Sequence, residues 1–231
     1  MKKYTVLIIA IVTLGCQAIA QEANRITNFL QEVNVYKRRE NLGMPGTNYM
    51  NIEGNAFFPE DFIDGRIFLN NGSVLNSSSR FNMLTENVEV RTREGKLYTI
   101  QKPELTDSVK IGDRTYVYVP EPGNPSQALY MELLYQGDYS LYVRREVEFH
   151  EAAKAEPFRN PKPARFERNK DAFFVLTPES QYEKIRSKRS LFDLFPGRKK
   201  AIKDYIKAYD LDMDEGEDLV QIIKHFTGNH T

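Results

Sequence analysis

Acidic residues stand at alternate positions in DLDMDEGEDLVQII, Asp210 to Ile223, just ahead of an apolar helical pattern. Oxygen ligands surround calcium with this kind of spacing. An EF-hand loop needs ligands at its first, third and fifth positions, glycine at the sixth for a sharp turn, and a bidentate glutamate at the twelfth. Asp210, Asp212 and Asp214 meet the first three requirements, but Glu215 holds the sixth position, glycine comes one late at Gly216, and the twelfth is Gln221. The same residues suit a helix start instead. Asp212 or Asp214 can cap the helix, and Glu215, Glu217 and Asp218 then fall in its first turn, where the helix dipole favours negative charge. A capped helix without a metal is the expectation.

Other reactive residue types lack the partners their chemistry needs. His150-Glu151 begins like a zinc-protease motif, but the second histidine is replaced by Lys154. The remaining histidines, His225 and His230, lie far away in sequence. There is no Gly-x-Ser-x-Gly elbow and no phosphate-cradling glycine loop. Carboxylates are plentiful, yet sequence places no two of them at the separation a glycosidase pair requires. The candidate ligand contacts are therefore the strand aromatics Tyr116, Tyr118, Tyr130 and Tyr142, with Arg144 beside them, which can stack on sugars or peptides. Aromatic residues also populate strands simply because they pack well on a pleated surface. No cofactor is implied.

The N-terminus carries an address. Met1-Lys2-Lys3 is a short cationic region, Tyr4 to Gly15 an apolar run of about a dozen residues, and Ala18-Ile19-Ala20 offers small residues where a signal peptidase reads them. This is the pattern of a secretory signal peptide over residues 1–20. The run is shorter than the roughly 20 residues a spanning helix needs. Cys16, the single cysteine, closes a Leu-Gly-Cys that makes lipoprotein anchoring the alternative, although Thr13 and Leu14 depart from that pattern. Cleavage after Ala20 would make Gln21 the first mature residue and leave a chain without thiol chemistry. Export to the periplasm or the outer-membrane periphery is the expected location.

Charge narrows the partners further. The 32 basic and 32 acidic residues balance, and losing Lys2 and Lys3 leaves 30 against 32, which gives no reason to expect nucleic acid. The distribution is uneven. Lys154 to Lys207 holds 15 Lys or Arg against 7 Asp or Glu, while Tyr209 to Asp218 holds six acids and no base. In an exported protein such a basic stretch would meet lipid headgroups or acidic glycans.

The elements that must position these residues fall into two groups. After a lead-in over residues 21–63, strands and turns run through 64–178. Asn71-Gly72 reads as a two-residue hairpin loop between Gly65–Leu69 and Ser73–Asn76. Arg93-Glu94-Gly95 reads as a three-residue loop that pairs Val88 with Ile100 and Val90 with Tyr98. Gln136-Gly137-Asp138 reads as another, setting Tyr135, Leu133 and Met131 opposite Tyr139, Leu141 and Val143, with Glu132 opposite Tyr142 on a mixed face. With Arg114–Pro120 between them, these runs predict an antiparallel meander of at least six strands that can curl into a partial barrel. His150–Lys170, with three prolines, reads as a long polar connector, and Ala172–Pro178 as a short apolar strand. Over residues 179–231 the period changes: Ser187 can cap a first helix, Ile202, Tyr205, Ile206 and Tyr209 recur at helical spacing, and so do Leu219, Ile222, Ile223 and Phe226.

Several segments together resemble an uncharacterised family of exported proteins of the Bacteroidota: a signal ending in Ala-Gln, GNAFFPEDFIDGRIFLNNG, RFNMLTENVEVR, LFDLFPGRKKAIKDYIKAYDL and DLVQIIKHF. The resemblance implies an exported protein and structural motifs, and carries no activity or functional residue. The reading is an α+β protein of the cell envelope, an antiparallel sheet followed by two or three short C-terminal helices. It would act as a non-catalytic binding or interaction module for an envelope protein, a glycan or a lipid headgroup, with peripheral membrane contact. The alternative is an exported hydrolase using a carboxylate site.

Overall fold

Most strand pairings follow from a local turn. In a computed structural model, the described residues are 52–93, 95, 97–100, 105–152 and 163–228, together with the helical Gln21 and Arg25. The signal segment, Cys16 and most of the lead-in lie outside them. Strand β1 (Phe57–Leu69) turns into β2 (Val74–Asn82) through Asn70-Asn71-Gly72. That is a three-residue loop where two residues were expected. Gly72 N–H donates to Leu69 O, Leu69 N–H donates to Ser73 O, and Gly72 sits at φ +80, so a type I turn is followed by a left-handed residue that suits glycine. The next hairpin has the expected register. Strand β3 (Asn87–Arg91) pairs Val90 with Tyr98 of β4 (Leu97–Thr99), Ile100 N–H donates to Val88 O, and Gly95 holds φ +80.

Strands β5 (Thr106–Ile111), β6 (Arg114–Glu121), β7 (Asn124–Tyr135) and β8 (Ser140–Arg144) form a meander, but β8 joins β7 one residue out of the expected register. Glu132 faces Val143 and Leu133 faces Tyr142, and a shift then makes Tyr135 face Leu141. The cause is local. Ser140 Oγ accepts from Gly137 N–H and donates to Gly137 O, which closes a longer loop, while Tyr139 leaves the ladder to pack on Phe195 at 5.2 Å. The slip exchanges faces, because side chains alternate along a strand.

Strand β8 ends before Arg145-Glu146. Strand β9 (Val147–His150) pairs instead with β10 (Arg165–Arg168) in a separate two-stranded ribbon, which Glu53 joins through a parallel bridge to Arg165. Part of the presumed connector is therefore strand: its prolines exclude a helix but leave RFER free to pair. Strand β11 (Ala172–Leu176) returns to β8, and β12 (Tyr182–Ile185) pairs with β11. The sheet thus extends from Phe57 to Ile185, beyond both ends of the 64–178 span. Its ten strands run in the order β12-β11-β8-β7-β6-β5-β1-β2-β3-β4. It is antiparallel and open, with β4 and β12 as edges, and it is two meanders joined where β1 meets β5.

Three helices follow: α1 (Lys188–Asp193), α2 (Lys199–Tyr209) and α3 (Gly216–Thr227). Ser187 caps α1 as expected, in a reciprocal pair with Ser190. Apolar spacing then decides burial. Ile202 and Ile206 of α2 and Leu219, Ile222, Ile223 and Phe226 of α3 pack with Leu141, Val143, Phe173, Val175 and Ile185, so the helices cover β8, β11 and β12. A Cβ on Gly216 would lie 2.8 Å from Leu134 Cδ1, which shows how closely the start of α3 approaches β7. In the far half of the sheet, Ile67, Leu75, Phe81, Val88, Val109, Ile111, Tyr116 and Tyr130 form one buried cluster. Among the described residues, no helix is long and apolar enough to cross a membrane.

Candidate functional site

Two consecutive arginines at the end of β8 organise opposite faces of the sheet. Arg144 gathers three carboxylates: Glu86 by a bidentate pair at 2.5 and 2.9 Å, Glu121 at 3.2 Å and Glu146 at 2.9 Å. The hydrogen bond to Glu86 holds the guanidinium even more firmly protonated, while burial pushes the Glu146 carboxyl up. Arg145 turns the other way. It binds Glu132 through Nη1 and approaches Asp171 at 3.2 Å, while Arg114 lies 3.6 Å from the second oxygen of Glu132.

Around this second group the guanidinium carbons of Arg114, Arg145 and Arg168 stand 4.5, 4.8 and 5.2 Å from the centroid of the Phe58 ring. An aromatic face attracts cations, so Phe58 collects residues from β6, the end of β8 and β10. Burial pushes the Glu132 carboxyl up, against the pull of Arg145 and Arg114. A second buried acid, Glu89, is held by Arg80 and by Asn82 Nδ2, each at 2.9 Å.

The candidate ligand contacts are divided between the two faces. Tyr116 is buried, stacks on Phe81 at 4.8 Å and donates to Phe58 O at 3.5 Å; burial and then nearby Glu132 push its hydroxyl up. Tyr130, also buried, meets its strand partner Tyr118 edge to face at 5.1 Å, and Tyr118 alone of the four is exposed, at 38%. Tyr142 is buried against Tyr182 with ring centroids 5.6 Å apart, on the face it shares by alternation with Arg144. Tyr116, Tyr118 and Tyr130 come together on one face; Tyr142 and Arg144 belong to the other. Packing accounts for Tyr116, Tyr130 and Tyr142.

The feature that sequence reading missed is a groove between β12 and α1, of about 450 Å³. Its walls include Tyr139, Ile185 and Leu194, and it carries Glu179, Glu183 and Asp193, while the Lys184 ammonium turns to the other face, 5.5 Å from the Phe174 ring. One wall is a sheet edge. Thr177 N–H donates to Gln181 O, so alternation along the antiparallel pair turns the backbone groups of Glu183 and Ile185 toward β11 and those of Tyr182 and Lys184 outward. The edge stops at Arg186, whose N–H is taken by Ser190 Oγ at 2.9 Å. YEKI carries no period-two apolar signal, since Tyr182 and Ile185 stand three residues apart and so on opposite faces of the strand.

The acidic stretch starts a helix as expected, with Glu217 and Asp218 in its first turn, but the cap differs. Asp210 is the left-handed C-cap of α2, and Glu215 is the N-cap residue of α3 without a side-chain cap bond, so neither Asp212 nor Asp214 caps it. Instead Asp218 Oδ2 accepts from Asp212 N–H at 2.7 Å, Asp212 Oδ1 accepts from Asp214 N–H at 2.9 Å, and Asp214 pairs with Lys170. The carboxylates are engaged with the chain itself. Millimolar calcium should therefore leave the melting temperature unchanged, since a specific site at 100 times its Kd would add about 2.7 kcal/mol, a shift that differential scanning fluorimetry resolves easily. Among the described residues no three His, Cys, Asp or Glu converge as a metal site. His150 lies in β9, 3.2 Å from Glu167, and His225 stacks on Tyr205 at 4.0 Å; His230 is outside the described residues.

Comparison of the chain with protein-family models, curated proteins and solved structures finds no match.

Proposed function

We propose that this is an exported cell-envelope protein acting as a non-catalytic binding module, which takes an extended segment of a partner protein alongside β12. The open edge of β12 next to an acidic groove is the observation that carries this reading. Outward backbone groups at Tyr182 and Lys184 offer ladder hydrogen bonds, and the groove supplies side-chain selection, as in other strand-addition complexes. Glu179, Glu183 and Asp193 favour a basic peptide. The proposal includes export through the N-terminal signal and a sheet curled into a partial barrel. The Phe81–Tyr116 stack supports the curl, since β2 and β6 stand three strand spacings apart, roughly 14 Å along a flat sheet. A carboxylate hydrolase would draw on Glu132, but Arg145 and Arg114 address its two oxygens, and a proton donor needs at least one of them free.

Proline scanning tests the edge. Lys184→Pro removes an outward N–H and should leave the fold intact, whereas Glu183→Pro removes an N–H that bonds β11 and should destabilise the sheet. In an array of extended peptides alternating Lys or Arg with Val or Thr, binders should shift the amide resonances of Tyr182 and Lys184. Lys184→Pro should abolish that binding. Unchanged binding by a folded Lys184→Pro variant would refute strand addition at β12.

A further inference from the structure

Between Arg186 and Lys207 the chain holds eight basic residues and two acids, Asp193 and Asp204. Folding concentrates that charge. At 100° per residue, Lys199, Lys203, Lys207 and Lys200 of α2 fall within an arc of about 100° beside the buried Ile202 and Ile206. All four are exposed, and none forms an ion pair among the described residues. The arc continues onto α1. The ammonium groups of Lys199 and Lys203 lie 5.9 and 5.8 Å from the centroid of the Phe192 ring, and Lys188 is one helical turn before Phe192 on the same side of α1.

This arrangement works against the helix that carries it. Lys199, Lys203 and Lys207 repel one another at four-residue spacing, and Lys199 and Lys200 occupy a first turn that has no acid, at the positive end of the dipole. An isolated α2 would be more stable with acids at positions 199 and 200, where they would suit the dipole and pair with Lys203. An anionic surface would relieve both conflicts together.

We infer that the face made by α1 and the lysine flank of α2 docks on an anionic lipid surface. Charge complementarity selects an anionic partner, and shape selects among anions. The lysines spread over two helices, with Lys199 and Lys207 about 12 Å apart along α2 and Lys188 displaced sideways, so the charge is a patch rather than a line. A patch matches a plane of headgroups, whereas a single polysaccharide strand would contact one row. The contact is electrostatic and peripheral, because the flank carries no exposed large apolar side chain. It adjoins the β12 groove at α1 but uses none of the side chains that line the groove, so either assignment can fail without the other.

Co-sedimentation of the protein beginning at Gln21 with vesicles tests this. The protein should bind vesicles of phosphatidylglycerol and phosphatidylcholine in equal parts at about 50 mM salt, release at about 0.5 M, and ignore phosphatidylcholine alone. Each lysine near such a surface is worth about fivefold in affinity, so Lys203→Glu with Lys207→Glu should weaken binding by about 25-fold or more. Arg66→Glu with Lys110→Glu changes net charge equally on the outer side of β1 and β5, and should stay within about twofold of the parent. Equal losses in the two double variants would overturn the assigned face. Binding to heparin but not to the vesicles would overturn the lipid.

Discussion

Arg145→Ala should cost about 3–5 kcal/mol at neutral pH, because it strands Glu132 inside the protein. Glu132 is 6% exposed, and Arg145 is the cation that touches it most closely; Arg114 at 3.6 Å reaches only the other oxygen. The pH dependence distinguishes this cause from simple loss of packing on Phe58. Burial already raises the folded-state pKa of Glu132 above its ordinary 4.5, so its contribution to stability is fully present below the unfolded value and is lost as pH rises through the folded one. Removing Arg145 raises the folded value further. The deficit of the variant should therefore shrink on acidification, as Glu132 takes up its proton and ceases to be a buried charge. Urea unfolding of parent and variant from about pH 4.5 to 8 measures the difference. A deficit that stays constant across that range would assign the effect to the Arg145–Phe58 contact instead.

Little of that network is visible in the sequence, and the reasons are physical. Arg144 and Glu86 are 58 positions apart, a separation at which no local pattern operates. Glu132 reads as a residue of the mixed face opposite Tyr142, and the register slip caused by the Ser140 loop is what sets it opposite Val143. Where turn chemistry is complete the register is legible: Gly95 is the left-handed residue of a three-residue loop, and Val90 meets Tyr98 accordingly. Period-two alternation likewise places Tyr116 and Tyr118 together. It does not reveal that Tyr116 meets Phe81, since that contact depends on β1 pairing with β5 across the intervening β2, β3 and β4. Strands β10 and β12 escape notice because RFER and YEKI are polar and short, and long-range partners rather than intrinsic pattern hold them. The β12 groove inherits that invisibility.

The helices were more legible because apolar spacing and burial are the same fact for an amphipathic segment, and they carry the second large expected effect. Helices of 11 and 12 residues are marginal alone in water, since nucleation is costly and packing supplies most of their stability. Phe226 shows where that packing is concentrated. It is 5% exposed, lies edge to face on Tyr205 at 5.7 Å and tilted on Phe195 at 6.0 Å, and its carbonyl accepts from Arg198 Nη1 at 3.1 Å, so it touches α2, the segment after α1 and the start of α2 together. Phe226→Ala should cost about 3–5 kcal/mol, and Ile206→Asp should be at least as damaging because it buries a charge without a partner. Tyr209→Ala, on a side chain that is 60% exposed with its ring 4.6 Å from that of Tyr205, should cost no more than about 1.5 kcal/mol. Hydrogen exchange gives the mechanism. In the parent, amides from Ala201 to Tyr209 and from Leu219 to His225 should be as protected as those of β8 and β11, because all of them open only when the shared core of Leu141, Val143, Phe173 and Val175 is lost. In Phe226→Ala the helical amides should lose protection first and the distant β1–β2–β3 amides last. Unprotected helical amides in the parent would mean that these helices are not held on the sheet, and the face assigned to α1 and α2 would lose its rigid support.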